Sequence, residues 1–190
     1  LAGLPGQTKA LREILTEAER LVLDTETDQP LRLDAIEALG HGSELHGNTA
    51  AVFQKLLAPS ETSAVRHGTI RAVGNMTAAG AAKLLLAAWP GLVANERASA
   101  LDVLLSRGTW QEALLQGMES GQVSINGFSL VHRDRLLKSA NKAVAKRARG
   151  VFANEAEGDR AGALAKFAPA LKLGGDAEKG RLVYDMHCAV

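Results

Sequence analysis

One cysteine in 190 residues, Cys188, rules out an internal disulfide, so cysteine usage alone does not fix a redox compartment. Aromatics are scarce too, with four Phe, two Trp and one Tyr. Acids and bases nearly cancel, 21 Asp and Glu against 22 Lys and Arg, so no global field marks a nucleic-acid or membrane binder. No apolar run reaches the ~18 residues a bilayer crossing needs, and no stretch reads as a signal peptide. What is abundant is Leu and Ala, with few β-branched residues, a balance that favours helix. The length suffices for one domain with a sizeable core. The chain opens on Leu1 and closes two residues after Cys188, and it reads as a piece of a longer protein.

Self-similarity organises the middle of the chain. Arg32-Leu-Asp-Ala-Ile-Glu-Ala-Leu39, Arg66-His-Gly-Thr-Ile-Arg-Ala-Val73 and Arg97-Ala-Ser-Ala-Leu-Asp-Val-Leu104 share one pattern, with the arginines 34 and then 31 residues apart. In each copy a small residue lies four before the last aliphatic and an Ile or Leu three before it. All three therefore share one helical face. A second helix follows each copy. Asn48 to Ala58 carries Val52, Phe53, Leu56 and Leu57, and Ala79 to Trp89 carries Leu84, Leu85, Ala88 and Trp89. Thr109 to Glu119 opens on a capping box of Thr109 and Glu112. Pro59 and Pro90, 31 apart, stop the first two of these helices. Thr8 to Leu23 reads as a helix burying Leu11, Ile14, Leu15, Ala18 and Val22. Leu136, Leu137, Ala140, Val144, Ala148, Val151 and Phe152 trace one long stripe, and Gln122 to Phe128 could be a short extended stretch.

A hairpin of helices cannot bury its apolar face alone, so the expectation is an all-α, right-handed solenoid of stacked hairpins with a short C-terminal helical tail. The proline-bounded pairs with their Arg-x-x-small-Ile/Leu core resemble HEAT repeats, closely over residues 28–120 and loosely over 128–155, with an armadillo-like arrangement as the near alternative. The resemblance implies a binding and spacing scaffold over residues 1–155. In such repeats Arg32, Arg66 and Arg97 would each pair with an acid of a neighbouring unit.

From Gly158 the pattern gives way to Gly, Ala and Pro169, and residues 156–174 read as a linker. Residues 175–190 are Gly175-Asp176-x-x-x-Gly180-x-x-x-Tyr184-x-x-x-Cys188-Ala-Val190. This spacing resembles the opening of a class I cytochrome c domain, in which Cys-x-x-Cys-His supplies two thioethers and an axial ligand. The resemblance implies that Cys188 is the first haem thioether, with the second Cys and the His lying beyond Val190. It also implies no cofactor held by this piece itself, haem c in the parent, and a periplasmic or exported location, or a cytoplasmic one if the likeness fails. Helical repeats running into such a segment resemble large bacterial proteins with C-terminal haem-binding domains, some with a sugar or alcohol dehydrogenase domain upstream. The leading expectation is a non-catalytic scaffold that positions a cytochrome c domain. The alternatives are an intracellular HEAT-type adaptor for a protein or nucleic-acid partner, and an internal segment of a periplasmic dehydrogenase.

Seven bases (Arg133, Arg135, Lys138, Lys142, Lys146, Arg147 and Arg149) stand against one acid, Asp134, between residues 133 and 149. They form a solvated helix face or a surface for an acidic protein. Nucleic acid is disfavoured because no aromatics interleave to stack bases. His41, Glu44 and His46 invite a metal reading, but their spacing misses the His-Glu-x-x-His pattern, and Gly40, Gly42 and Gly47 make the segment a loop. Asp24, Glu26 and Asp28 alternate like a calcium loop, yet Gln29 and Ala35 stand where Gly and Glu are required, so Asp28 reads as an N-cap before Pro30. Gly174-Gly175 lacks the spacing of a phosphate loop. No Gly-x-Ser-x-Gly elbow is present, and Trp89 and Trp110 read as core.

Overall fold

The computed structural model describes residues 5–78, 80–172 and 174–187. It divides into two compact units, Leu1–Val151 and Phe152–Val190. The described residues are helical, with no strand among them.

In the first unit α1 (Pro5–Leu23), α2 (Gln29–His41), α3 (Thr49–Leu56), α4 (Ser63–Asn75), α5 (Ala81–Ala88), α6 (Ala94–Leu104), α7 (Gly108–Glu119) and α8 (Leu130–Leu137) follow one another through short turns. The three patterned segments fall on α2, α4 and α6. Alternate helices pack: α2 on α4 and α4 on α6, then α3 on α5 and α5 on α7, with α1 against α2 and α3. Ile36, Ile70 and Leu101 are fully buried, as are Leu39, Val73 and Leu104 one turn further on. Each turn of these helices therefore removes a branched side chain from water, about 1.5–3 kcal/mol apiece. Trp89 and Trp110 are core residues.

At Gly40 α2 runs tightly against α4. A Cβ there would stand 2.6 Å from the Ala72 carbonyl oxygen and 3.0 Å from the Ala72 Cβ. Both contacts are to rigid groups, so glycine is what permits the two backbones to meet.

The repeated arginines lie at the same seams. Arg32, buried, gives Nη1 and Nη2 to the two carboxylate oxygens of Glu61 at 2.9 and 2.7 Å and Nε to the Val22 carbonyl at 2.8 Å. Arg66 Nη2 is 2.6 Å from Glu96 Oε1, and Nη1 donates to the Gly91 carbonyl. Glu96 is wholly buried and also accepts from the Val93 amide, closing the start of α6. Arg97 departs from the expected pairing. At the corresponding distance stand Asn126 and Gly127, and its guanidinium turns instead to the Pro90 carbonyl at 3.4 Å and lies 5.8 Å from the Trp89 ring centroid. From Glu19 to Arg147, the long-range side-chain hydrogen bonds span 25 to 36 positions, about one sequence period.

Several expectations are corrected. Leu11 and Ile14 are 47% and 59% exposed, while Leu15, Ala18 and Val22 are buried. Thr109 does not cap α7. The helix starts at Gly108 after Arg107, which donates to the Gly74 and Met76 carbonyls at 2.9 and 2.6 Å and lies over Trp110. Residues 122–128 are not extended. With no strand to pair with, they form a 3-10 turn at Ile125–Gly127 between the buried plugs Val123 and Phe128. The stripe from Leu136 to Phe152 is two helices, since Asn141 Oδ1 accepts from the Ala143 amide and begins a new helix, α9 (Lys142–Phe167). The proposed linker is accordingly helical to Phe167. In the second unit α9 is followed by a 3-10 turn at Ala168–Lys172 and by α10 (Ala177–His187).

Two stability measurements test this packing. Gly40→Ala should cost about 2 kcal/mol in urea unfolding, whereas Gly108→Ala, in open space, should change stability by less than about 1 kcal/mol. Glu96→Ala should cost about 3–5 kcal/mol, since it strands a buried guanidinium. A double variant with both Arg66 and Glu96 replaced by Leu should be less damaged than that single one.

Candidate functional site

The basic segment is distributed over α8, the turn at residues 138–141, and the first three turns of α9, all within the first unit. Backbone geometry decides which cations remain available. Arg135 reaches back to Asp102 on α6, with Nη1 2.9 Å from Oδ1, and the half-exposed Asp102 also stands 3.5 Å from His132 Nε2. Lys138 pairs with Asp134 one turn earlier at 2.9 Å. Arg147 grips Glu119, Nε to Oε1 at 3.1 Å and Nη2 to Oε2 at 2.7 Å. Arg133 is half-buried and engaged. Lys142, Lys146 and Arg149 are exposed and form no ion pair among the described residues. They recur at i, i+4 and i+7, so they share one face of α9. The seven-residue patch is thus a three-residue stripe, because acids 28 and 33 positions upstream neutralise two of its members.

The Arg147–Glu119 pair carries the clearest electrostatic signature. Hydrogen bonding from Arg147 holds the Glu119 carboxyl below its ordinary value, and the same contact raises Arg147. His132 is buried to 8% exposure against the edge of Phe128, and its Nδ1 finds no hydrogen-bond partner among the described residues.

The 41–48 loop brings its polar groups to three separate neighbours. His46 Nε2 and Asn48 Nδ2 both meet Glu19 at 2.5 Å, Asn75 Nδ2 is 3.2 Å from His41 Nε2, and Thr77 donates to Glu44. They fasten the loop to α1 and α4 and do not converge on one point. Asp24 Oδ1 accepts from the Glu26 amide, and Asp28 occupies the N-cap position of α2 without a side-chain bond. Among the described residues no group of three or more His, Cys, Asp and Glu could hold a metal ion, and no helix is long and apolar enough to cross a membrane. Cys188 lies outside the described residues.

Sequence reasoning missed Arg107 and Asp102, which tie α7 and α8 to the preceding helices. The signal for each was only a charge about one period from its partner. No family model, curated protein or solved structure matches this chain.

Because the Glu119 carboxyl is held below its usual range, its contribution is present above that range and lost as pH falls through its own lower value. The pair is partly exposed, so Glu119→Gln should cost at most about 1 kcal/mol at neutral pH. The difference from the parent should shrink as pH falls through the acid range, and vanish once the carboxyl is protonated in both states, in acid-unfolding curves read by circular dichroism.

Proposed function

We propose that this chain is a right-handed α-solenoid of HEAT-like hairpins and acts as a non-catalytic scaffold that positions a C-terminal cytochrome c domain beside an electron donor. The observation that carries the scaffold reading is the uniform reach of its long-range side-chain bonds, 25 to 36 positions. Each hairpin is tied to its neighbour in sequence, as stacking of repeats requires and as a closed globule does not. A stack of this kind is stiff and presents a long surface to partners.

The cytochrome arm rests on the Gly175 to Cys188 motif. In support, α10 begins where that motif places its first helix. Asp176 Oδ1 accepts from the Glu178 and Lys179 amides at 3.1 Å, which makes Asp176 the cap of the helix. Leu182, Val183, Tyr184 and Met186 on α10 are all more than half exposed, an apolar surface suited to further packing. The proposal assigns Cys188 alone to the haem group. The location that goes with it is the periplasm or another exported site.

A second reading, an intracellular adaptor, is favoured by the free stripe of Lys142, Lys146 and Arg149. Reversing those three charges should abolish partner capture under this reading and leave haem attachment untouched.

The natural protein, matured in the periplasm with its downstream residues, should show covalent haem absorbance that survives acid–acetone extraction. It should lose half of its thioether attachment in Cys188→Ser. A downstream sequence without a second Cys and an adjacent His would end the cytochrome arm.

A further inference from the structure

The series of repeated arginines lacks an acid at its third member. Glu61 follows Arg32 by 29 positions and Glu96 follows Arg66 by 30, and their carboxylates meet Nη2 at 2.7 and 2.6 Å. The same steps from Arg97 lead to Asn126 and Gly127, in the 3-10 turn that packs on α6. No acid stands between Glu119 and Asp134, and those two already hold Arg147 and Lys138. Asp102, on α6 itself, is held by Arg135. Arg97 is therefore a half-buried cation that forms no ion pair among the described residues. Its Nε is buried without a hydrogen-bond partner there, and its bond from Nη2 to the Pro90 carbonyl is long at 3.4 Å. Arg66 also leaves Nε unpaired, but it spends Nη1 on Gly91 and Nη2 on Glu96. Where the third carboxylate is due there is open space, since a Cβ on Gly127 would meet no heavy atom within 4 Å.

We infer that Arg97 is a receptor for a carboxylate from outside the chain, an aspartate or glutamate side chain of a partner protein. That side chain completes the third pair as Glu61 and Glu96 complete the first two. A guanidinium partly withdrawn from water without an anion is costly, and the Trp89 face 5.8 Å away offsets little of that cost. A carboxylate meets the planar fork with charge-assisted hydrogen bonds, as Glu61 meets Arg32. The surroundings suit a protein better than a free ion. Val93, whose carbonyl accepts from the Arg97 amide, is half-exposed, and Leu130 and Val131, shortly beyond Gly127, are more exposed still. Apolar side chains thus stand bare on both chain segments that flank the missing position, and they match an acid set between aliphatic residues. Apolar contacts that exclude water around a charged pair strengthen it.

This inference rests on the scaffold reading, whose partner class it names, and is independent of the haem arm. The test follows the Arg97 Nε–H signal of the whole chain by heteronuclear NMR. Three probes are added at constant ionic strength: an acetylated and amidated Ala-Leu-Glu-Leu-Ala peptide, its Gln counterpart, and sodium acetate. The glutamate peptide should shift the signal saturably, and the other two should each bind at least about tenfold more weakly. Arg97→Gln should abolish binding of the glutamate peptide, read on the Val93 and Asn126 amides. Gly127→Glu, which supplies the acid from within at an open position, should raise the urea midpoint and weaken the peptide about tenfold or more. No saturable shift, equal affinity of the two peptides, acetate binding as tightly as the glutamate peptide, or unchanged affinity in either variant would each overturn the proposal. A faulty stack would show instead as a missing cost in Glu96→Ala unfolding. Silence of Arg97 with that cost intact counts against this inference alone.

Discussion

A guanidinium buried near the start of a helix must find its carboxylate at one place, and in this chain that place is about 30 positions downstream. Arg32 spends both terminal nitrogens on Glu61 and its Nε on Val22. Arg66 divides its terminal nitrogens, Nη2 on Glu96 and Nη1 on the Gly91 carbonyl. Desolvating such a charge costs several kcal/mol, and pairing little more than offsets it, so the pairs add modestly to net stability. Their effect is on register. Sliding one helix by a turn, about 5.4 Å, would leave a cation and an anion buried without partners. Where the acid runs out, at Arg97, the restraint passes to Arg107 on the Gly74 and Met76 carbonyls and to the surface pairs of Asp102 and Glu119.

With the register fixed, the apolar seam follows. The Ile or Leu four residues after each arginine falls on the buried face, and the small residue before it (Ala35, Thr69 or Ala100) keeps that face thin. Gly40 carries this to its limit, where helix meets helix at the Ala72 backbone with no room for a methyl group. The same interlock explains why His46, Asn48 and Glu44 are occupied in holding a loop to α1 and α4, and are not free for chemistry.

The parts of this arrangement legible in the sequence are those written within one helical turn. The spacing of Arg66, Thr69, Ile70 and Val73 displays a buried face directly, and Pro59 and Pro90 mark ends because proline cannot continue a helix. Pairings between helices are not written locally. Nothing around Arg135 or Arg147 indicates that Asp102 and Glu119 lie against them, so the basic segment looked freer than it is. The break before α9 was hidden for a related reason. Leu136, Ala140 and Val144 keep a spacing of four across it, and only the capping geometry of Asn141 separates two helices from one. Leu11 and Ile14 match the pattern of buried residues, but burial also needs a neighbour, which periodicity does not specify.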